Sequence, residues 1–383
     1  MISPDQINAE QLGDRLRIAR SSAGLTQEAA AAGLTMARTT LVAIERGQRR
    51  VRPEELVGLA KLYGTTVGRL AASDAVHVDL SAKFRRIEGK PQSPSVAEAI
   101  QLLNRLASGT TELEQALGVE RRFDYPPPLR ISNQGHLQQA EDAAVALRQR
   151  LGIGLGPITD LFTVLELDLG VRVFMRPLKD GSISGLYAFD AAIGACILVN
   201  SNHRRRRRKQ TLAHEAGHFV SDRSHTDILD DEPVPLTIEE RFARRFGPAL
   251  LMPAPGLRER YEQATSATGV LDIRGLILLA HQFDVTTEAM TRRLEELGLL
   301  ASGAWASIRD RGFSSDLERQ VIGDPEPQTA PPLLPVRVAV MASRALQDGI
   351  LSEGQLCDML VLDRVQLRRE LAPFDHPEGL LGA

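Results

Sequence analysis

Ten residues near the middle of the chain, Thr211-Leu212-Ala213-His214-Glu215-Ala216-Gly217-His218-Phe219-Val220, constrain it more than any others. They contain His-Glu-x-x-His. Residues four apart share one face of a helix, so His214 and His218 can aim ring nitrogens at a single metal ion. Glu215 leans to the flank of that face, where it can take a proton from a water at the metal. Two His ligands, a Glu base and one open coordination position are what zinc-dependent hydrolysis requires. A five-residue match also arises by chance in long chains, so the surroundings matter. The apolar run Gly194-Ala195-Cys196-Ile197-Leu198-Val199 precedes the motif and reads as a strand. Ala213, Ala216 and Gly217 around the His pair leave room for close packing. The stretch therefore asks for a helix after a strand, and for a third ligand from elsewhere in the chain.

A length of 383 residues makes room for two or three domains. Aromatic residues are only 4% of the chain, and Leu, Ala and Arg dominate, which favours helix. The net charge of −3 does not advertise nucleic-acid binding, so local charge has to carry any such reading. Cys196 and Cys357 stand far apart in apolar settings and read as buried thiols in a reducing compartment. The first residues lack a basic-then-apolar signal pattern, and no apolar run is long enough to span a bilayer. A cytoplasmic protein with no membrane partner is the expectation.

Residues 12–72 show helical periodicity broken by short turns. A first helix ends at Gly24. Thr26 looks like an N-cap for Gln27–Ala32, and Gly33-Leu34-Thr35 is a turn. A third helix runs from about Ala37 to Glu45, Pro53 opens a fourth up to Tyr63, and Val67–Leu70 forms a fifth. Two short helices joined by a tight turn are the helix-turn-helix arrangement, whose second helix enters the major groove. The segment resembles the Cro-like (XRE) helix-turn-helix family through Leu25-Thr26-Gln27-Glu28, Arg38-Thr39-Thr40-Leu41, Ile44-Glu45-Arg46-Gly47 and Leu56, Leu59 and Ala60. Thr35 departs from it, standing where Gly is usual. The resemblance implies that Gln27 touches a phosphate and that Arg38, Thr39, Thr40 and Ala43 lie on the base-facing helix. It also implies that Arg46, Arg49 and Arg50 lie near the DNA backbone, where cations supply salt-dependent affinity. A small helical interaction domain with a solvated basic face is the plainer reading.

Between this region and the motif, Ser95–Leu106 and Thr111–Leu117 read as two helices, and Tyr125-Pro126-Pro127-Pro128 as a stiff extended break. They read as a spacer or dimerisation arm. From Gly135 on, helices are expected over 137–151 and 158–169, with strands over 171–175, 183–189 and 192–200. The run His203-Arg204-Arg205-Arg206-Arg207-Arg208-Lys209 then enters the motif helix. Positive charge opposes the dipole at a helix start. Such runs are usually solvated; contact with DNA or an acidic substrate segment is the alternative.

Four residues after the motif could supply the third ligand: Asp222, His225, Glu239 and Glu240. The metzincin spacing fails, because Ser221 and Ser224 stand where Gly and His should fall. The chain resembles the ImmA/IrrE metallopeptidase family. The resemblance is carried by Leu212-Ala213-His214-Glu215-Ala216-Gly217-His218, by Glu240-Arg241-Phe242-Ala243-Arg244-Arg245-Phe246-Gly247 and by Leu250-Leu251-Met252-Pro253. It implies that Glu240 is the third ligand and Zn2+ the cofactor. Arg244 stands where Asn is usual, which can change how the ligand is oriented. Gly247-Pro248 is expected to interrupt the second helix. Tyr187, His225 and Tyr261 are the open choices for a donor to the oxyanion. Residues 323–332 read as a linker, and 336–371 as two or three further helices.

The fold class expected is mainly α with a small β-sheet (α+β). A helix-turn-helix domain over 1–75 and a helical spacer over 76–134 are followed by a zincin-like peptidase domain over 135–300. A linker over 301–335 and a helical C-terminal module over 336–383 complete it. The resemblances imply a regulator that binds a double-stranded DNA operator as a homodimer. Its zinc peptidase, with Glu215 as base, would cleave a repressor or antitoxin protein to control stress, phage or mobile-element genes. The alternative is a metal-containing transcription factor that senses a ligand or partner and cleaves nothing.

Overall fold

The computed structural model describes residues 9–65, 67–71, 80, 84, 93–221, 223, 227–229, 237–266, 269–323 and 330–374. It divides into two compact units. One comprises Met1–Arg121, Asp190–Gly194 and Val336–Ala383, and the other Arg122–Phe189 and Ala195–Pro335.

In the first unit, helices α1 (Ala9–Ser22), α2 (Gln27–Gly33), α3 (Arg38–Glu45), α4 (Pro53–Leu62) and α5 (Val67–Ala71) enclose a core of Leu16, Ala30, Leu41, Ile44 and Leu59. Thr26 caps α2, its Oγ1 accepting the Ala29 N–H at 3.1 Å. The α2–α3 turn passes through Thr35 at φ +51°. That is the left-handed region, which disfavours a β-branched residue and explains why the position suits glycine. Gly13 lets α1 lie on the end of α3, since a Cβ there would stand 2.6 Å from the Ile44 carbonyl oxygen. Buried Glu45 ties three helices together by accepting from Arg20 Nε at 2.6 Å and Gln27 Nε2 at 2.8 Å.

The two helices expected over 95–117 are one, α6 (Pro94–Ala116). Ser108 and Gly109 are weak helix formers, which is why a break is expected there. Tertiary packing keeps the helix whole: a Cβ on Gly109 would fall 1.9 Å from the carbonyl oxygen of Met359 in a C-terminal helix. The Thr110 and Thr111 hydroxyls bond back to carbonyls one turn earlier. The C-terminal helices, Val336–Gln347, Glu353–Leu360 and Arg364–Leu371, belong to this same unit.

The second unit carries α7 (His136–Arg150), a short helical turn at Leu161–Thr163 that widens into a π turn over Val164–Asp168, and a four-stranded sheet. The helix expected over 158–169 thus starts late, because the Asp160 carboxylate caps it by accepting Thr163 N–H. Strands β1 (Arg172–Arg176), β2 (Gly185–Asp190), β3 (Gly194–Asn200) and β4 (Asp227–Leu229) lie in the order β1-β3-β2-β4. β1 runs parallel to β3 and β4 antiparallel to β2. The inner position of β3 accounts for its unbroken apolar run, buried at every residue. β4 is too short for a pattern of alternation to reveal in the sequence.

The part that holds the motif continues with five helices: α8 (Arg205–Val220), α9 (Ile238–Leu251), one over Ala254–Thr265 and a pair at Ile273–Gln282 and Thr287–Glu296. α9 corrects the expected interruption, since it runs through Gly247 and Pro248 to Leu251. Proline there removes a helix N–H and costs about 3 kcal/mol in a free helix. Here the helix is sandwiched between α7 and α8, and its buried face of Phe242, Phe246 and Leu250 holds it together. Tyr125-Pro126-Pro127-Pro128 straps this unit. Tyr125 Oη accepts the Ala195 N–H at 3.0 Å, and Leu129 N–H bonds the Val220 carbonyl at 3.0 Å.

Two buried arginines brace the helices. Arg293 is fully buried and forks onto the Glu141 carboxylate at 2.6 and 2.7 Å, while Arg245 reaches the same carboxylate at 2.7 Å. Arg148, also fully buried, donates to the carbonyls of Gly154 at 2.6 Å, Leu250 at 2.5 Å and Gly156. Burial pushes its guanidinium down to about 10.

Candidate metal centre and nucleic-acid interface

The motif helix α8 is buried from Thr211 to Val220. Its basic start is exposed at Arg204 and Arg205, as the plainer expectation has it, and becomes half-buried over Arg206–Arg208 and buried at Lys209, with side-chain partners along it. Arg205 forks onto Asp284 at 2.7 and 2.6 Å, and Lys209 Nζ reaches Asp284 at 3.2 Å and the Ile158 carbonyl at 2.5 Å. Arg207 donates to Ser184 Oγ at 3.1 Å, and Arg208 to the Ser201 and His203 carbonyls. Burial pulls the Lys209 ammonium below its ordinary value against the opposing pull of Asp284. The charges that would oppose the helix dipole are met by an acidic residue of the same unit.

α8 and α9 cross almost backbone to backbone. A Cβ on Gly217 would stand 2.8 Å from Ala243 Cα, and one on Gly247 would stand 3.1 Å from His214 N. One glycine on each helix therefore sets the separation. Thr237 caps α9, its Oγ1 accepting the Glu240 N–H at 3.2 Å. Glu240 thereby sits in the first turn, facing the His pair.

The result is a cluster of three side chains placed so that they could hold a metal ion. His214 Nε2 and His218 Nε2 are 3.1 Å apart. Glu240 Oε2 lies 3.3 Å from the first and 3.5 Å from the second. Ligand atoms bound at about 2.0–2.1 Å around a tetrahedral zinc stand roughly 3.3–3.4 Å from one another. The three separations match the edges of such a tetrahedron, and two imidazole nitrogens with one carboxylate oxygen are a donor set suited to zinc. Among the described residues this is the group of His, Cys, Asp or Glu side chains close enough to hold an ion. Of the four third-ligand choices, Glu240 meets the His pair; Asp222 and His225 lie outside the described residues.

Glu215 is fully buried against β2. Gly185 makes its space, since a Cβ there would stand 2.8 Å from Glu215 Oε1. This glycine is a site residue that sequence reasoning missed; an isolated Gly at the start of an apolar strand is the signal for a close approach. Tyr187, two residues on, lies with its ring 6.3 Å from that of His218. Burial raises its phenol well above the ordinary value. Tyr261 donates to the Leu299 carbonyl at 3.0 Å.

In the helix-turn-helix, Arg38, Thr39, Arg46 and Arg50 are exposed, while Thr40, Gln27 and Arg49 are half-buried. Arg49 forks onto Glu55 at 2.8 and 3.1 Å. That bond, with its charge, holds the Glu55 carboxyl below the usual range. The Gln27 amide is bonded to Glu45 rather than left open for a phosphate.

Comparison with known families matches residues 11–72 to the family described as helix-turn-helix domain, and residues 167–295 to the peptidase family described as IrrE N-terminal-like domain. No curated protein and no solved structure matches the chain. The second match spans β1 through the Thr287–Glu296 helix, and so contains the whole cluster. No described helix is long and apolar enough to cross a membrane. The chain thus carries an N-terminal segment that matches the helix-turn-helix domain family and a later segment that matches the IrrE N-terminal-like peptidase family.

Proposed function

We propose that the protein is a DNA-binding regulator whose second unit is a zinc peptidase acting on another protein. The observation that carries this reading is the convergence of His214 Nε2, His218 Nε2 and Glu240 Oε2 at the spacing of a tetrahedral ion, with Glu215 buried beside them. A zinc ion held by His214, His218 and Glu240 would supply Lewis acidity for the hydrolysis. Glu215 accepts the proton of the attacking water as the C–O bond forms and the carbonyl oxygen becomes an oxyanion, then passes that proton to the amine nitrogen, so that the C–N bond breaks as the carbonyl re-forms. Its burial against Gly185 fixes the carboxylate and keeps bulk water away. Tyr187, whose ring lies 6.3 Å from that of His218 and whose hydroxyl donates to the Arg223 carbonyl at 3.5 Å, longer than the 3.0 Å bond of Tyr261 to the Leu299 carbonyl, is the hydroxyl we assign to the developing oxyanion.

Arg38, Thr39 and Thr40 then face base edges from α3, and Arg46 and Arg50 the phosphates, in a homodimer on a palindromic operator. The substrate is a repressor or antitoxin protein, and the place of action is the cytoplasm, where the operator is. Domain limits of 1–75 and 135–300 serve these two activities.

The test compares three proteins. Wild type is expected to hold about one zinc per chain and Glu240→Ala to lose most of it. Glu215→Gln is expected to keep zinc and operator binding but to cleave roughly 10²–10⁴-fold more slowly, leaving the target regulator intact on a gel and repression unrelieved. If Glu215→Gln regulates like wild type while His214→Ala does not, the metal serves a sensor and no peptide bond is cut.

A further inference from the structure

The two carboxylate oxygens of Glu240 meet different partners. Oε2 faces both imidazoles, at 3.3 and 3.5 Å. Oε1 accepts from Nε of Arg244, one turn later on α9, at 2.5 Å. The pair differs from an ordinary exposed i,i+4 bridge. The Glu240 side chain is only 15% exposed, while that of Arg244 is 52% exposed. A half-exposed cation is thus anchored to a nearly buried anion, and that anion completes the ligand cluster.

We propose that Arg244 is a positioning residue of the metal centre: it occupies Glu240 Oε1, so that the carboxylate presents one oxygen, Oε2, to the metal. This rests on the metal-centre reading above. A carboxylate left to itself can turn and offer both oxygens to one ion. A second oxygen would fill the coordination position that water and substrate need. Arg244 Nε competes for that oxygen with a charge-assisted hydrogen bond. Helix geometry brings the two together, because residues four apart stand one above the other. The backbone on the other side is equally constrained. Ala243, the preceding residue, is the one against which Gly217 packs, so α9 cannot rotate to carry Glu240 away. The carboxylate is then held from both directions, by the helix crossing below and by the guanidinium above. Arginine at this position, in place of the usual Asn, has the reach and the charge to do this from the solvent side.

The experiment uses the full-length protein stripped of metal and titrated with Co2+, whose visible absorption reports coordination number. Wild type is expected to bind Co2+ with the intense bands of a four-coordinate site. Arg244→Ala is expected to bind roughly 10–100-fold more weakly, the usual effect of losing an outer hydrogen-bond partner. Its bands should also weaken as Glu240 turns to give both oxygens. Arg244→Lys, which can still reach Oε1, should recover most of the affinity and intensity. A purely structural role would not move the spectrum, and unchanged melting of the metal-free variants checks that the fold survives. If Arg244→Ala matches wild type in both affinity and spectrum, the proposal is overturned while the metal centre stands. If wild type itself binds no Co2+, the metal centre falls and the positioning role with it.

Discussion

The helix pairs α2/α3 and α8/α9 each bring two helices together for a function, and they do it in opposite ways. In α2/α3 the contact is made by Ala30, Ala31, Leu41 and Ile44, while Arg38 and Thr39 point outward. In α8/α9 the working side chains are inside the contact. Glu215 and His218 are fully buried, and glycines rather than leucines set the distance between the helices. An outward reader can be rewritten without touching the fold. A buried centre cannot, because the ligand spacing and the helix packing are one geometry.

The contrast can be broken most forcefully at the brace behind α9. Arg293→Met leaves Glu141 buried with Arg245 alone, and the expected loss lies toward the lower end of roughly 3–5 kcal/mol in urea unfolding. The same carboxylate sets an acid limit. Burial would raise it, but Arg293 and Arg245 together outweigh burial and hold it below the usual range. A depressed folded value means that its stabilisation is present above the unfolded value and lost as pH falls. Wild type should therefore weaken between about pH 5 and 3, and Glu141→Gln should lose less over that window.

Glycine substitutions sharpen the comparison next. Gly217→Val pushes a side chain into the Ala243 backbone and should destabilise by about 1–3 kcal/mol. It should also reduce metal content, read by elemental analysis. Gly33→Ala on α2 meets only the end of Leu62 at 3.2 Å, which can move. There the change should stay within about 1 kcal/mol, with helix propensity in its favour. Full metal content in Gly217→Val would show that the crossing distance is not what places Glu240.

Arg38→Ala tests the outward face. It should leave the melting curve alone and cost about 1–3 kcal/mol of discrimination at one operator position, measured by competition binding. A drop in stability instead would mean that α3 does not separate reading from folding. The smallest effect belongs to Thr35→Gly. Relief of a left-handed β-branched residue is worth about 1–2 kcal/mol, offset by roughly 0.5–1 kcal/mol of glycine entropy. A net gain of about 0.5 kcal/mol in the helix-turn-helix is expected from denaturant midpoints.

Local rules made much of this legible. The Thr26 cap, the glycine-bounded helices of the first seventy residues and the four-residue spacing of His214 and His218 are short-range features, and each is present in the structure. The failures share one cause. Ser108-Gly109 and Gly247-Pro248 read as breaks because propensity sees only neighbours, whereas Met359 and the backbone of His214 pack against those glycines. At the exposed start of α8 the sequence could not reveal the partner of Arg205, because Asp284 lies 79 positions away.

By itself, then, the sequence determined which side chains were available to do chemistry and on which helical face each would lie, because those depend on residue type and a 3.6-residue period. It carried Glu240 only through resemblance, since no local rule links it to His218. The tertiary structure decided what those side chains meet. Glu240 reaches the histidines because Gly217 and Gly247 let two backbones touch, Glu215 fits because Gly185 has no side chain, and Glu141 keeps its charge because Arg293 arrives from 152 residues away. These are distances between segments remote in the chain, and they exist only once the core has closed around them.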